Sequence, residues 1–173
     1  MLGIGRVIVY TGDGKGKTTA AFGIALRAAG HDLQTVIVQF VNGTWDYGET
    51  RAIETLPNVE IARVDFGVDA PAEDAGRPRR LAQEAWRVAT EAVRSDRYDL
   101  LILDELNYAI AEGHVNVDEV LAVLASRPQR LSVVVTGRAA PPELLDVADT
   151  VTEMRCVKHA FAQGVPARRG IEY

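Results

Sequence analysis

Apolar residues fall along this chain in short unbroken runs separated by longer stretches of helical spacing. Runs at residues 7–10, 35–40, 59–64, 98–105 and 131–136 are nearly continuous rather than alternating, as expected of strands covered on both faces in a parallel sheet. A sixth candidate strand covers 149–154. Between them, residues 20–29 combine helix formers with a broad apolar face, and Gly30 followed by His31-Asp32 reads as the stop. A short helix over 50–56 ends at Pro57-Asn58. Residues 78–95 predict a long amphipathic helix, with Leu81, Ala85, Val88 or Ala89 and Ala92 on one stripe and Arg79, Gln83, Arg87 and Arg94 off it. Trp86, near the edge of that stripe, reads as core or interface packing. A further helix over 116–125 takes Asn116 as its N-cap and stops near Pro128, and Pro141-Pro142-Glu143 opens another that runs to 147. Residues 65–77, rich in Gly, Pro, Ala and acids, are long enough to cover a site or to form a plain surface excursion. The tail from 158 to 173 is irregular and basic, with Arg168 and Arg169.

The alternation of strand and helix predicts an α/β three-layer sandwich with a mostly parallel sheet. What gives it a chemistry is the first connection, Thr11-Gly12-Asp13-Gly14-Lys15-Gly16-Lys17-Thr18-Thr19, set between a strand and a helix. Glycines let the backbone N–H groups form a concave nest, the helix N-terminus adds its positive end, and a lysine and a hydroxyl supply charge and a metal ligand. This order of parts reads as a phosphate-binding loop of the P-loop NTPase (RecA-like or kinase-like) type rather than a dinucleotide site. The general pattern places four residues between its two glycines, whereas Gly12 and Gly16 enclose only Asp13, Gly14 and Lys15, so the loop is one residue short.

Three other stretches bear on a site at the C-terminal sheet edge. The run 98–105 closes on Asp104-Glu105, carboxylates suited to holding a metal opposite the loop hydroxyl. Arg138 follows another strand where a ligand phosphate would approach, and it reads nearly as well as a solvated arginine beside a turn. Residues 41–49, with Trp45 among them, suggest a site wall. Glu105, His114 and His159 are candidates to orient an attacking oxygen, although for each lone histidine the bland reading, with no part in the chemistry, carries more weight.

With 173 residues, 47% of them hydrophobic, one domain spanning 1–173 is expected. The formal net charge of −5 has the wrong sign for broad contact with a nucleic-acid backbone. Cys156, the single cysteine, reads as a small semi-buried side chain in a reducing compartment. Residues 1–6 hold no apolar leader and no stretch is long enough to span a bilayer, so a cytoplasmic location with no membrane partner is expected.

Residues 12–19, then Val38-Gln39-Phe40 with Gly43-Thr44-Trp45 and Gly48-Glu49, Leu103-Asp104-Glu105-Leu106 and Thr136-Gly137-Arg138 resemble the ATP:corrinoid adenosyltransferases of the cobalamin pathway. The resemblance continues through Ala148-Asp149-Thr150-Val151-Thr152-Glu153, Val157-Lys158-His159-Ala160-Phe161, Gly164-Val165 and Gly170-Ile171-Glu172-Tyr173, and includes the shortened loop. It implies that the Co(I) of a reduced corrinoid attacks the 5′ carbon of ATP and releases triphosphate, with ATP held in the reverse of the usual phosphate order. It implies further that the N–H groups from Gly12 to Thr18, including those of Asp13, Gly14 and Gly16, hold phosphates together with Thr19 and Arg138. Lys15 and Lys17 would neutralise triphosphate charge, and Thr18 with Glu105 and Asp104 would hold Mg²⁺ or Mn²⁺. A homodimer and a flavodoxin-like or flavin-reductase electron donor belong to the same implication. In the family, aromatics after the third strand crowd the lower corrin face; the resemblance implies that Phe66 keeps one of them, that the tryptophan position is Val68 or is lost in an altered loop, and that Trp45 is a further corrinoid contact. Asn42 stands where lysine is frequent, and only residues 1–5 precede the first strand, where many members carry an extension that helps cover the site. A phosphate-loop kinase or ATPase, and a non-catalytic corrinoid or nucleotide carrier, are the alternative readings.

Overall fold

The computed structural model describes residues 3–40, 48–62, 64 and 76–172. Six strands form one sheet in the order β3-β2-β4-β5-β1-β6: β1 Val7–Thr11, β2 Thr35–Gln39, β3 Val59–Ala62, β4 Leu100–Asp104, β5 Ser132–Thr136 and β6 Thr150–Glu153. Every pairing is parallel. The helices are α1 Lys17–Ala29, α2 Gly48–Ile53, α3 Arg77–Arg94, α4 Leu106–Ala111, α5 Val117–Ser126 and α6 Pro142–Val147, with a 3-10 turn at Ala160–Gln163.

The unbroken apolar runs have the cause expected of them. Neighbouring residues of one strand enter different cores: Val36, Val38, Leu101, Leu103, Val133 and Val135 pack with Ala85 and Ala89 of α3, Leu106 of α4, Val120 of α5 and Leu144 of α6. Ile37, Leu100, Ile102 and Val134 pack with Ala21, Phe22 and Ala25 of α1 and Ile53 of α2. A strand between two dry layers has no polar face to show. Trp86 is half-buried against the first of these cores, as its position on the helix predicts. Asn116 caps α5 by accepting from Asp118 N–H at 2.8 Å.

Some features differ from the sequence pattern. Helix α1 begins at Lys17 rather than Ala20, directly after Gly16, so the loop's lysine and hydroxyl sit on its first turn. Strand β4 ends at Asp104, because Glu105 turns into the left-handed region (φ 63°) and opens α4, a helix the pattern did not predict. Cys156 is exposed rather than semi-buried, since the chain beyond β6 packs into neither core. Residues 41–47 and 65–75 lie outside the described residues, and Asn42, Trp45, Phe66 and Val68 with them. No helix among the described residues is long and apolar enough to cross a membrane.

Candidate nucleotide site

The C-terminal strand ends converge on a cleft of about 530 Å³. One wall is the loop between β1 and α1, which is shaped by the chain that follows β6. Gly14 N–H donates to Met154 O at 2.7 Å, and Met154 N–H donates to Thr11 O at 2.8 Å. A Cβ on Gly14 would lie 2.7 Å from Met154 O, and one on Gly12 (φ +91°) only 2.5 Å from it. The glycines at these two positions therefore answer a close backbone approach, and the chain just beyond β6 serves as a mould for the loop.

Lys17 is 7% exposed, and its Nζ donates to the carbonyls of Gly12 and Gly14, both at 2.7 Å. Burial lowers its pKa; Glu105 and Asp13 oppose that shift, while Arg138 adds to it. An ammonium so placed is poorly hydrated and close to three other charges, which is how a cation gains strength toward a phosphate. Lys15, half-exposed, pairs instead with Glu172 at 3.5 Å.

The opposite wall is carboxylate. Asp104 is almost fully buried; its Oδ1 accepts from Thr136 Oγ1 at 2.7 Å, and its Oδ2 accepts from Gln39 Nε2 at 3.3 Å. The Thr18 side chain faces it across the cleft and favours its charged form. Burial raises the Asp104 pKa, Thr136, Thr18 and Gln39 pull it back, and Glu49 pushes it further up. Glu105 is raised first by burial and then by Asp104, with Lys17 and Arg138 lowering it. Its backbone N–H donates to Thr136 Oγ1 at 2.9 Å, so one threonine hydroxyl orders both acids.

The cleft gathers most of the candidate residues. Asp13, Gly14, Lys15, Gly16, Lys17, Thr18, Thr19, Asp104, Glu105, Arg138 and His159 all line it, and Gly12 joins through the carbonyl that binds Lys17. His114 does not line it, lying instead in the turn after α4. Glu49, the last residue of the stretch read as a site wall, lines it too, whereas Gln39, Thr50, Tyr108 and Glu172 line it without having been singled out as site residues. For Gln39 a signal existed: it is the last, polar residue of an otherwise apolar strand, at the edge where ligands bind. Tyr108 sits on the unpredicted α4, and Glu172 arrives on an irregular tail that no periodicity could place.

A buried lysine within a glycine loop that heads a helix, faced by carboxylates two strands away, is the construction by which phosphate-loop α/β proteins hold nucleotides. The fold agrees with that class. The cytoplasmic domain of the Thermomonospora curvata Type VII secretion ATPase EccC superposes with a TM-score of 0.51 at 20% identity, over 95% of this chain and 22% of that one, a likeness of fold. Residues 4–173 match the family described as ATP:corrinoid adenosyltransferase BtuR/CobO/CobP. The corrinoid adenosyltransferase of Escherichia coli strain K12 is 41% identical over 169 residues, covering 98% of this chain and 86% of that protein. Those of Pseudomonas aeruginosa and Salmonella typhimurium are each 40% identical, covering 98% of this chain and 84% and 86% of theirs. The chain belongs to the ATP:corrinoid adenosyltransferase family, enzymes that transfer the adenosyl group of ATP to a corrinoid.

Proposed function

We propose that the cleft holds ATP with its triphosphate on the Gly12–Thr18 loop and its 5′ carbon turned outward, toward the Co(I) of a reduced corrinoid. The observation that carries this reading is the family match from residue 4 to 173, which spans the shortened loop and every wall of the cleft. In the reaction the cobalt electron pair forms the Co–C5′ bond while the C5′–O bond breaks, and triphosphate leaves. The nucleophile is the substrate's own metal, so the protein's work is positioning, charge neutralisation and exclusion of water. Lys17 and Lys15 take the charge that develops on the leaving oxygen, the loop N–H groups and Thr19 hold the phosphates, and Arg138 closes on them from the β5 side.

A divalent cation, Mg²⁺ or Mn²⁺, fits this donor set. Thr18 lies on the first turn of α1 and lines the cleft together with Asp104 and Glu105, so its hydroxyl oxygen is available to an ion held there. Asp104 is committed to Thr136 and Gln39, which favours it as a support for the site over a direct ligand, with Glu105 as the carboxylate that reaches the ion. No cluster of three or more His, Cys, Asp or Glu side chains suited to a metal occurs among the described residues, in keeping with an ion that draws its remaining ligands from phosphate and water. When bound, the ion supplies neutralisation of triphosphate charge.

Phe66, Trp45 and Val68 are proposed as corrinoid contacts by resemblance alone. A cytoplasmic enzyme, acting as a homodimer and served by a flavodoxin-like or flavin-reductase electron donor, completes the proposal. The test is an anaerobic assay with ATP, Mg²⁺ and chemically reduced cob(I)alamin, followed by cobinamide. One triphosphate per light-sensitive cobalt–carbon product is expected. Release of γ-phosphate without corrinoid would mark an ordinary ATPase, and tight corrinoid binding without turnover a carrier.

A further inference from the structure

Arg138 is the cleft's only arginine among the described lining residues, and the turn that carries it is held in an unusual way. Gly137 has φ +127° and Ala139 φ 53°, so the backbone is left-handed on both sides of Arg138. At its far end the turn is tied to the root of the phosphate loop, where Ala140 N–H donates to Thr11 Oγ1 at 3.2 Å. At its near end the tie is a side chain: Asn107 Nδ2 donates to Gly137 O at 3.0 Å in a fully buried bond.

Asn107 is 0% exposed on the first turn of α4, between Leu106 and Ala109, which are buried in the core. An apolar side chain would suit that position better, since the Asn107 Oδ1 is buried without a hydrogen-bond partner among the described residues. The contact is also tight, because a Cβ on Gly137 would lie 2.9 Å from the Asn107 Cβ and 3.1 Å from Tyr108 N. A buried amide kept with one end unsatisfied is explained if its other end does something an apolar residue cannot.

We infer that Asn107 is a positioning residue, which fixes the Gly137 carbonyl and so sets Arg138 on the triphosphate. It stands two residues beyond Glu105, so the same helical turn that presents the carboxylate also anchors the arginine, and the charges meeting the two sides of the triphosphate are held in register. The charge of Arg138 is felt by both Lys17 and Glu105, which agrees with an arginine between the two walls. This inference rests on the reading of Arg138 as a phosphate ligand.

A double-mutant cycle in the full chain, with cob(I)alamin and ATP under reductant, tests it. Asn107→Leu, which keeps the volume and removes the donor, is expected to lower kcat at saturating ATP about tenfold, with KM for the corrinoid unchanged. In an Arg138→Ala background the same substitution is expected to change nothing further. Equal losses in both backgrounds would overturn the inference while leaving Arg138 a phosphate ligand. No loss from Arg138→Ala alone would overturn the reading of that arginine and the inference with it. Should Asn107→Leu fail to fold, Gly137→Ala displaces the same contact from the other side and enters the same cycle, with the same expected outcome.

Discussion

The Thr136 hydroxyl donates to Asp104 Oδ1 at 2.7 Å while accepting the Glu105 N–H at 2.9 Å, which places one fully buried oxygen between the two acids. Strand β5 stands between β4 and β1, so the side chain at its end is the one able to bridge the acidic pair toward the loop. Thr136→Val keeps the shape and deletes both hydrogen bonds. Two buried polar groups then lack partners, a loss of about 2–4 kcal/mol in stability. Urea unfolding should show it, and the Mg²⁺ requirement should rise as Glu105 loosens. A variant as stable as the parent would mean that water replaces the hydroxyl.

Asp104 gives the nucleotide-free protein a pH dependence of defined sign. Its pKa is raised, chiefly by burial, so the folded state binds the proton more tightly than the unfolded chain, whose ordinary value is 3.8. The resulting stabilisation is fully present below that value and is lost as pH rises through the folded-state pKa. The stability of the parent relative to Asp104→Asn should therefore fall as pH rises above about 4 and level off once the buried acid is ionised. Parallel unfolding curves for the two proteins, measured without metal or nucleotide, would show that the charge is not strained by its burial.

Lys17→Ala removes a cation whose burial has already stripped much of its water. If it stabilises the departing triphosphate, the loss is on the order of 3 kcal/mol, about 10²-fold in kcat at saturating ATP. Unchanged turnover in an anaerobic steady-state assay would remove Lys17 from the chemistry.

The parts of this protein that the sequence made legible are those with a repeating physical cause. Ile37 and Val38 are neighbours that face opposite cores, and that arrangement forces the unbroken apolar run from which β2 was read. The loop from Gly12 to Thr18 was legible because its residue types follow from phosphate chemistry. Helix α4 was not, because its six residues bury Leu106, Asn107 and Ala109 and show too little polar face to set a period, and it begins from a left-handed Glu105 that extended the apparent strand. The moulding of the loop by Met154 was hidden for another reason: backbone atoms leave no mark in residue identity.

That moulding has a consequence for Gly14. A Cβ there would meet Met154 O at 2.7 Å and the carbonyl carbons of Met154 and Arg155 at 2.8 Å, all backbone atoms in a segment hydrogen-bonded to the loop. Gly14→Ala must therefore push the nest away from the chain after β6. ATP affinity should fall by about tenfold or more, with a stability loss of about 1–3 kcal/mol from overpacking. Calorimetric titration with MgATP decides it, and unaltered affinity would mean that the loop does not need its contact with Met154.

Lys15 and Glu172 lie 3.5 Å apart at the rim of the cleft, and the carboxylate is held ionised first by the Arg168 N–H and then by Lys15. Two opposed effects meet there. Glu172 can orient Lys15, or it can compete with the triphosphate for it and repel the incoming anion. Lys15 is half-exposed, so its geometry is loosely held and orientation has little to add; competition should dominate. Glu172→Gln is therefore expected to tighten ATP binding about threefold at low salt, an advantage that shrinks as salt screens the rim, with thermal stability unchanged. Weaker binding at every salt concentration would reverse the assignment and make the C-terminal tail a brace for Lys15, in which case charge restoration by Glu172→Asp should recover part of the loss.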